Sequence, residues 1–218
     1  MPTRHEALGS GVELGGDALV TQQADQVESE DKMRADAYGL LARLLCDVPE
    51  RDLINLTAGI EGDDSPLGLA LSALAEAAGS VTDEAVSDEY NALFIGVAGG
   101  ELKPYCSFYL TGFAYEKPLA KLRHDMDELG VARSENVKEP EDHMASLCEI
   151  MAGLITGVFG APADLKTQQR FFDRHMAPWA RMFFEDLEKA DSARFYKTVG
   201  VVGRLFMEIE TTAFEMAA

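Results

Sequence analysis

The chain is short of positive charge, of cysteine and of long apolar runs, and each shortage removes a class of function. Nineteen Lys and Arg face 38 Asp and Glu, for a formal net charge of −19. A surface this acidic disfavours nucleic acid, whose phosphates need cations. It suits basic partners and solubility. Cysteine occurs three times in 218 residues, at Cys46, Cys106 and Cys148, with no C-x-x-C pair. An odd, scattered set does not make a disulfide framework and fits a reducing cytoplasm. No apolar run reaches the roughly 18 residues that a membrane span needs. The first residues lack the continuous apolar segment of a secretory signal. Strand signals are missing as well, since no stretch alternates apolar and polar residues for long.

What is present is helical periodicity, in a chain that is 47% hydrophobic and so able to bury a sizeable core. Residues 1–30, rich in Gly, Gln and acids, read as a flexible acidic extension. Residues 31–218 read as one helical domain. Met33, Ala37, Leu40, Leu41, Leu44 and Leu45 recur at steps of three and four, the stripe of an amphipathic helix. A second helix follows Pro49. A third has Ser65 as N-cap with Pro66 in its first turn and Gly79 at its end. A fourth opens at Thr82. Gly96 to Ser107 then reads as a glycine-rich loop, with helix resuming near Glu116 and ending at Gly130. Another helix is expected from about Pro140 to Phe159. One or two more follow, with Pro178 marking a restart or a kink, and a terminal helix carries Phe195, Val199, Val202, Phe206 and Ile209. The fold class is all-α, a compact bundle of about eight or nine helices.

The stretch E-P-E-D-H, Glu139 to His143, is the densest cluster of chemistry. On a helix begun at Pro140, Met144, Leu147, Cys148, Met151, Leu154, Ile155 and Val158 share an apolar face. Asp142 then lies on the polar side with Ser146 and Glu149, and His143 at the rim. Neighbouring residues diverge by about 100° on a helix, so Asp142 and His143 do not form a base and its orienter. Metal-ligand spacing such as H-x-x-x-H is absent, and no residue qualifies as catalytic or metal-binding. Pro at a helix start with acids in the first turn is also ordinary helix chemistry. Elsewhere, "GVAGGE" lacks the spacing of a phosphate loop and follows no strand. Tyr90, Leu93 and Phe94 at i, i+3 and i+4 fit a core stripe, as do Met176, Trp179 and Phe183. His124 and His175 carry no partner pattern. On residues alone, a binding module is favoured over an enzyme.

The succession "YNALFIG", "LKPYCSFYLTG", "PLAKLR", "EPEDH", "FFDRHMAPWARMFFEDLEKA" and "FYKTVG" resembles the TorD/DmsD/NarJ family from about residue 33 to the C-terminus. These are cytoplasmic chaperones that mature molybdenum-containing redox enzymes. The resemblance implies an all-helical, TorD-like fold without a catalytic centre. It implies two partners: a twin-arginine leader peptide, and the apo form of a molybdenum-cofactor oxidoreductase such as a formate dehydrogenase or a dimethyl sulfoxide or trimethylamine N-oxide reductase. Holding the leader prevents export before the cofactor is inserted. The family's leader-binding positions fall here on Tyr90, Leu93, Phe94, Pro104, Tyr105, Glu139, Pro140, Asp142 and His143. Tyr90 and Tyr105 stand where some members carry tryptophan. No cofactor is implied for the chaperone itself, guanine-nucleotide binding being left open, and either a monomer or a helix-swapped dimer fits the family. The expected site joins an apolar groove for the leader's hydrophobic stretch with exposed acids for its arginines. The rival readings are a helical assembly scaffold that ignores the leader, and a nucleotide hydrolase built on Asp142 and His143.

Overall fold

The computed structural model describes residues 15–96, 99–132 and 139–217, with side chains from residue 29 onward. Ten α-helices follow one another: α1 (Gly15–Cys46), α2 (Arg51–Ala58), α3 (Pro66–Ser80), α4 (Asp83–Tyr90), α5 (Cys106–Thr111), α6 (Lys117–Leu129), α7 (Met144–Thr156), α8 (Leu165–His175), α9 (Ala180–Lys189) and α10 (Phe195–Ala217). A π-helical turn, Asn91–Ile95, extends α4. Among the described residues there is no strand, only an isolated antiparallel bridge between Tyr105 and His143. The all-α expectation holds, with one helix more than expected, because α5 lies where helix was not expected before Glu116. The break expected at residue 30 falls inside α1, and residues 1–14 lie outside the described residues. No helix among the described residues is long and apolar enough to cross a membrane.

Local caps set several helix starts. The Ser65 hydroxyl accepts from Gly68 N at 3.0 Å, ahead of Pro66. The Thr82 hydroxyl accepts from Ala85 N at 3.2 Å, and Asp164 accepts from Thr167 N at 2.8 Å. Each occupies a donor that a helix N-terminus otherwise leaves unsatisfied.

Helix α7 is the hydrophobic centre. Met144, Leu147, Cys148 and Met151 have no solvent exposure, and Ala145, Ile150, Leu154 and Ile155 have 5% or less. A helix apolar on nearly every side must be surrounded, and α7 packs between α1 and α8. It ends earlier than its apolar stripe suggests. Gly157 turns into the left-handed region at φ 78°, so Val158, expected on the buried face, is 73% exposed. A second layer pairs α9 with α10, and α10 also covers α3. Trp179, Phe183, Phe184 and Tyr196 are fully buried there. Close approach of α9 and α10 depends on Gly203, where an added Cβ would sit 2.2 Å from the Phe184 ring. Buried charge ties α1 to α10. The Arg34 guanidinium forks onto Glu210 at 2.8 and 2.9 Å, and the Tyr38 hydroxyl donates to the same carboxylate at 2.9 Å.

Candidate functional site

The π turn, the loop after it and the E-P-E-D-H strap meet on one side of the bundle, although they are far apart in sequence. The loop folds back on the π turn, with Leu102 N donating to Leu93 O at 2.8 Å and Glu101 N to Ala92 O at 3.1 Å. This carries Pro104 and Tyr105 alongside the strap. There Cys106 N donates to Asp142 O at 2.9 Å, and Met144 N donates to Pro104 O at 2.8 Å. The Tyr105 and His143 rings meet edge to face at 5.2 Å.

Every polar residue of the strap is engaged inside the molecule. Helix α5 has Tyr105 at its N-cap, which makes no side-chain cap bond. Asp142 supplies one from a distance: its Oδ2 accepts from Ser107 N at 2.8 Å and from Ser107 Oγ at 2.6 Å. A carboxylate there meets both the free N–H groups and the positive end of the helix. His143 caps the next helix, its Nδ1 accepting from Ala145 N at 3.1 Å. A ring nitrogen that accepts is unprotonated, so the imidazole is neutral with its proton on Nε2. Burial lowers the His143 pKa to about 4, which maintains that state. Glu141 forks with Arg123 of α6, at 2.9 to 3.1 Å. The Tyr105 hydroxyl donates to Glu139, and Pro140 O accepts from His143 N at 3.1 Å in a tight turn.

These positions correct the expected recognition edge. Helix α7 starts at Met144, with His143 as its N-cap and Pro140 outside it, so a helical wheel through Asp142 does not apply. Asp142 is 1% exposed and His143 4%, where a polar face and a rim were expected. Pro140 is buried too. Tyr90 and Leu93 also belong to the core, Tyr90 donating its hydroxyl to Leu45 O at 3.3 Å. Phe94 is half-buried, packed edge-on against Tyr90 and Tyr196 with centroids at 5.0 and 5.4 Å. Pro104 is buried beneath a half-buried Tyr105. Of the nine positions, Phe94, Tyr105 and Glu139 therefore reach solvent, and the other six hold them in place.

The arrangement offers no accessible acid–base pair at the strap, because Asp142 and His143 each satisfy a helix terminus. A second pair was not foreseen. His175 Nε2 lies 2.6 Å from Asp125 Oδ2, with Arg174 on Asp125 Oδ1 at 3.1 Å. Both His175 and Asp125 are 3% exposed, so the pair ties α6 to α8 and does not face a substrate. Among the described residues no three His, Cys, Asp or Glu side chains gather as metal ligands would. The sequence reading also passed over Phe108, Phe113 and Tyr115, which are exposed in the stretch that follows Tyr105. Their signal was the aromatic density of "FYLTGFAY" in a stretch without helical period.

The family model described as "Nitrate reductase delta subunit" matches residues 60–185. A chaperone protein TorD from Vibrio parahaemolyticus is 22% identical over 208 residues, covering 85% of this chain and 96% of the relative. A chaperone protein TorD from Vibrio cholerae is 27% identical over 112 residues, covering 48% of this chain and 51% of its own length. Among solved structures, a candidate redox enzyme maturation protein from Archaeoglobus fulgidus superimposes with a TM-score of 0.55. It is 22% identical, with 81% of this chain and 94% of that chain covered.

Proposed function

The chain belongs to the nitrate reductase delta subunit family, the TorD/NarJ group, and from that premise we propose that it is a cytoplasmic maturation chaperone for a molybdenum-cofactor oxidoreductase. It holds the client's twin-arginine leader, together with the apo body, until the cofactor is in place. Its role requires no cofactor and no catalytic group of its own.

One observation supports this reading most directly: three separated sequence blocks are fastened into a single surface around Tyr105. The strap bonds to α5 through Asp142, to α6 through Glu141 and to the loop through Met144 N and Pro104 O. Six of the nine positions implied by the resemblance are buried, Pro104, Pro140, Asp142 and His143 in this fastening and Tyr90 and Leu93 in the core behind it. A binding surface backed by several hydrogen bonds is rigid before its ligand arrives, which reduces the ordering cost of association. The net charge of −19 suits a ligand whose head is two guanidinium groups.

Calorimetry with a synthetic leader peptide tests the proposal. A peptide with two consecutive arginines before its apolar stretch should bind, and replacing both by glutamine should weaken binding about tenfold or more. Equal affinity for both peptides would favour a scaffold that grips the client without reading its leader.

A further inference from the structure

Four large apolar side chains stand exposed within eight residues: Phe108 at 39%, Leu110 at 42%, Phe113 at 69% and Tyr115 at 73%. Single exposed hydrophobics are common, but four in one short helix and the turn after it are a concentration that suits a binding surface. The backbone fixes this one in place. Asp142 holds the start of α5, and at its flank Tyr109 packs on Trp179 at 5.2 Å and donates its hydroxyl to Asp186 at 2.9 Å. Gly112 ends α5 at φ 81°, and Phe113 N donates to the Thr111 hydroxyl at 3.2 Å. Tyr115 then takes φ 62°, the one non-glycine residue with positive φ among the described residues. That conformation is unfavourable for a residue with a Cβ, yet its effect is to project a ring into solvent. These residues form an aromatic ledge.

The ledge runs into the acidic side of the site. Tyr105 stands at the N-cap of α5, the helix that carries Phe108 and Leu110, and its hydroxyl donates to Glu139. Asp47 stands two residues after Leu45, whose carbonyl accepts from the Tyr90 hydroxyl at 3.3 Å. Among the described residues neither Glu139 nor Asp47 has a basic side chain as an ion-pair partner, while Lys117 and Lys121 follow the ledge on α6. An apolar ledge with acids at one end complements a peptide that is apolar with cations at one end. A second copy of this chain, itself at −19, would bring like charge to the same acids.

We infer that the leader's apolar stretch seats on the ledge formed by Phe108, Leu110, Phe113 and Tyr115, with its two arginines directed toward Glu139 and Asp47. This rests on the leader-binding reading above and moves the groove from the "YNALF" helix, whose Tyr90 and Leu93 are core, onto α5 and the turn after it.

The test compares wild type with Phe113→Ser/Tyr115→Ser, both sites being exposed and outside the core, and with Leu69→Ser, an exposed apolar site on α3. The probe is a synthetic peptide of two arginines followed by an alanine- and leucine-rich stretch. The expected result is binding to wild type and Leu69→Ser alike, with affinity about tenfold or more weaker for the double variant. Phe113→Leu/Tyr115→Leu should restore part of the loss, since it returns apolar area without the rings. If the double variant is folded by circular dichroism and binds as wild type does, the ledge is not the seat while leader binding stands. Absence of binding to wild type overturns the leader reading and this assignment together. A concentration-dependent dimer of wild type that the double variant abolishes would assign the ledge to a second copy and overturn the inference.

Discussion

Glu89 and Asp142 perform the same task at two places in the bundle. Each is a buried carboxylate that reaches across from another element to cap the start of a helix. Glu89, at the end of α4, accepts from Arg194 N at 2.7 Å, Phe195 N at 3.0 Å and Tyr196 N at 2.6 Å, the start of α10. Asp142 accepts from Ser107 at the start of α5. The helices beyond them differ. Helix α10 has 23 residues and ten buried positions, so its cap secures the core. Helix α5 has six residues, and beyond its buried first turn it presents Phe108 and Leu110 to solvent. Its cap fixes a surface. A buried acid is therefore not by itself a sign of a binding site; what its bonded element exposes decides that.

The comparison breaks most visibly at Glu89. Glu89→Ala strips an acceptor from three N–H groups at once. Each unsatisfied buried group costs about 1–3 kcal/mol, partly recovered by entering water, so the loss should be about 3 kcal/mol in urea unfolding. Leader affinity of the folded fraction should stay unchanged, because α10 carries none of the proposed surface. A loss below about 1 kcal/mol would mean that α10 starts as well without the carboxylate.

His143 sharpens the contrast through pH. In the unfolded chain its pKa is 6.5, and in the folded protein burial lowers it to about 4. The unfolded state thus binds a proton that the folded state refuses, and stability is lost as pH falls through this window. The contribution is complete above pH 6.5 and declines toward pH 4. Between pH 7.5 and pH 5 the loss from this residue should be about 2 kcal/mol. His143→Asn supplies a good N-cap that does not titrate, so its stability curve should be flatter over the same range. Other titrating groups, the buried His175 included, are common to both proteins and cancel in the difference. Parallel curves would show that the cap survives protonation.

Asp142→Asn comes next. The amide oxygen can keep one of the two bonds from Ser107, but the negative charge at the start of α5 is gone and a new donor is buried. A loss of about 1–2 kcal/mol follows, more than the roughly 0.5 kcal/mol expected of a surface site. Hydrogen exchange should quicken first at the amides of α5 and the ledge, and leader affinity should fall with it. Uniform quickening across the whole bundle would place Asp142 with Glu89, as a support of the core.

The same distinction explains what the sequence could reveal. The starts of helices α3 and α4 were legible because Ser65 and Thr82 sit beside the N–H groups they satisfy. The apolar stripes of α7 and α9 were legible because burial follows a period of 3.6 residues. Helix α5 was not legible, since its capping carboxylate lies 35 residues away and six residues are too few to display a period. The start of α7 was misplaced for a related reason. Pro140 looked like a first helical residue, whereas the N-cap is His143, a residue type that local rules do not favour there. For the site, the blocks singled out by family resemblance do meet in the fold, but periodicity placed Asp142 on a polar face where the structure buries it. Only the tertiary pairing of strap and loop shows that Asp142 faces inward and Glu139 outward.

The smallest expected effect is at Tyr105. Its hydroxyl donates to Glu139, and that bond is half-exposed, so Tyr105→Phe should cost no more than about 0.5–1 kcal/mol. The ring, its contact with His143 and the apolar surface beside the ledge all remain. The effect on leader binding separates two roles for the hydroxyl. If it serves only to hold Glu139, removing it leaves that carboxylate free to meet a guanidinium, and affinity should be unchanged or slightly higher. If the hydroxyl itself touches the leader, affinity should fall even though the fold is nearly intact. Calorimetry of Tyr105→Phe and Glu139→Gln, singly and together, resolves this as a double-mutant cycle. With the hydroxyl as support, Glu139→Gln alone weakens binding and adding Tyr105→Phe changes nothing further. An additional loss in the double variant would move Tyr105 from the scaffold of the site into its contact surface.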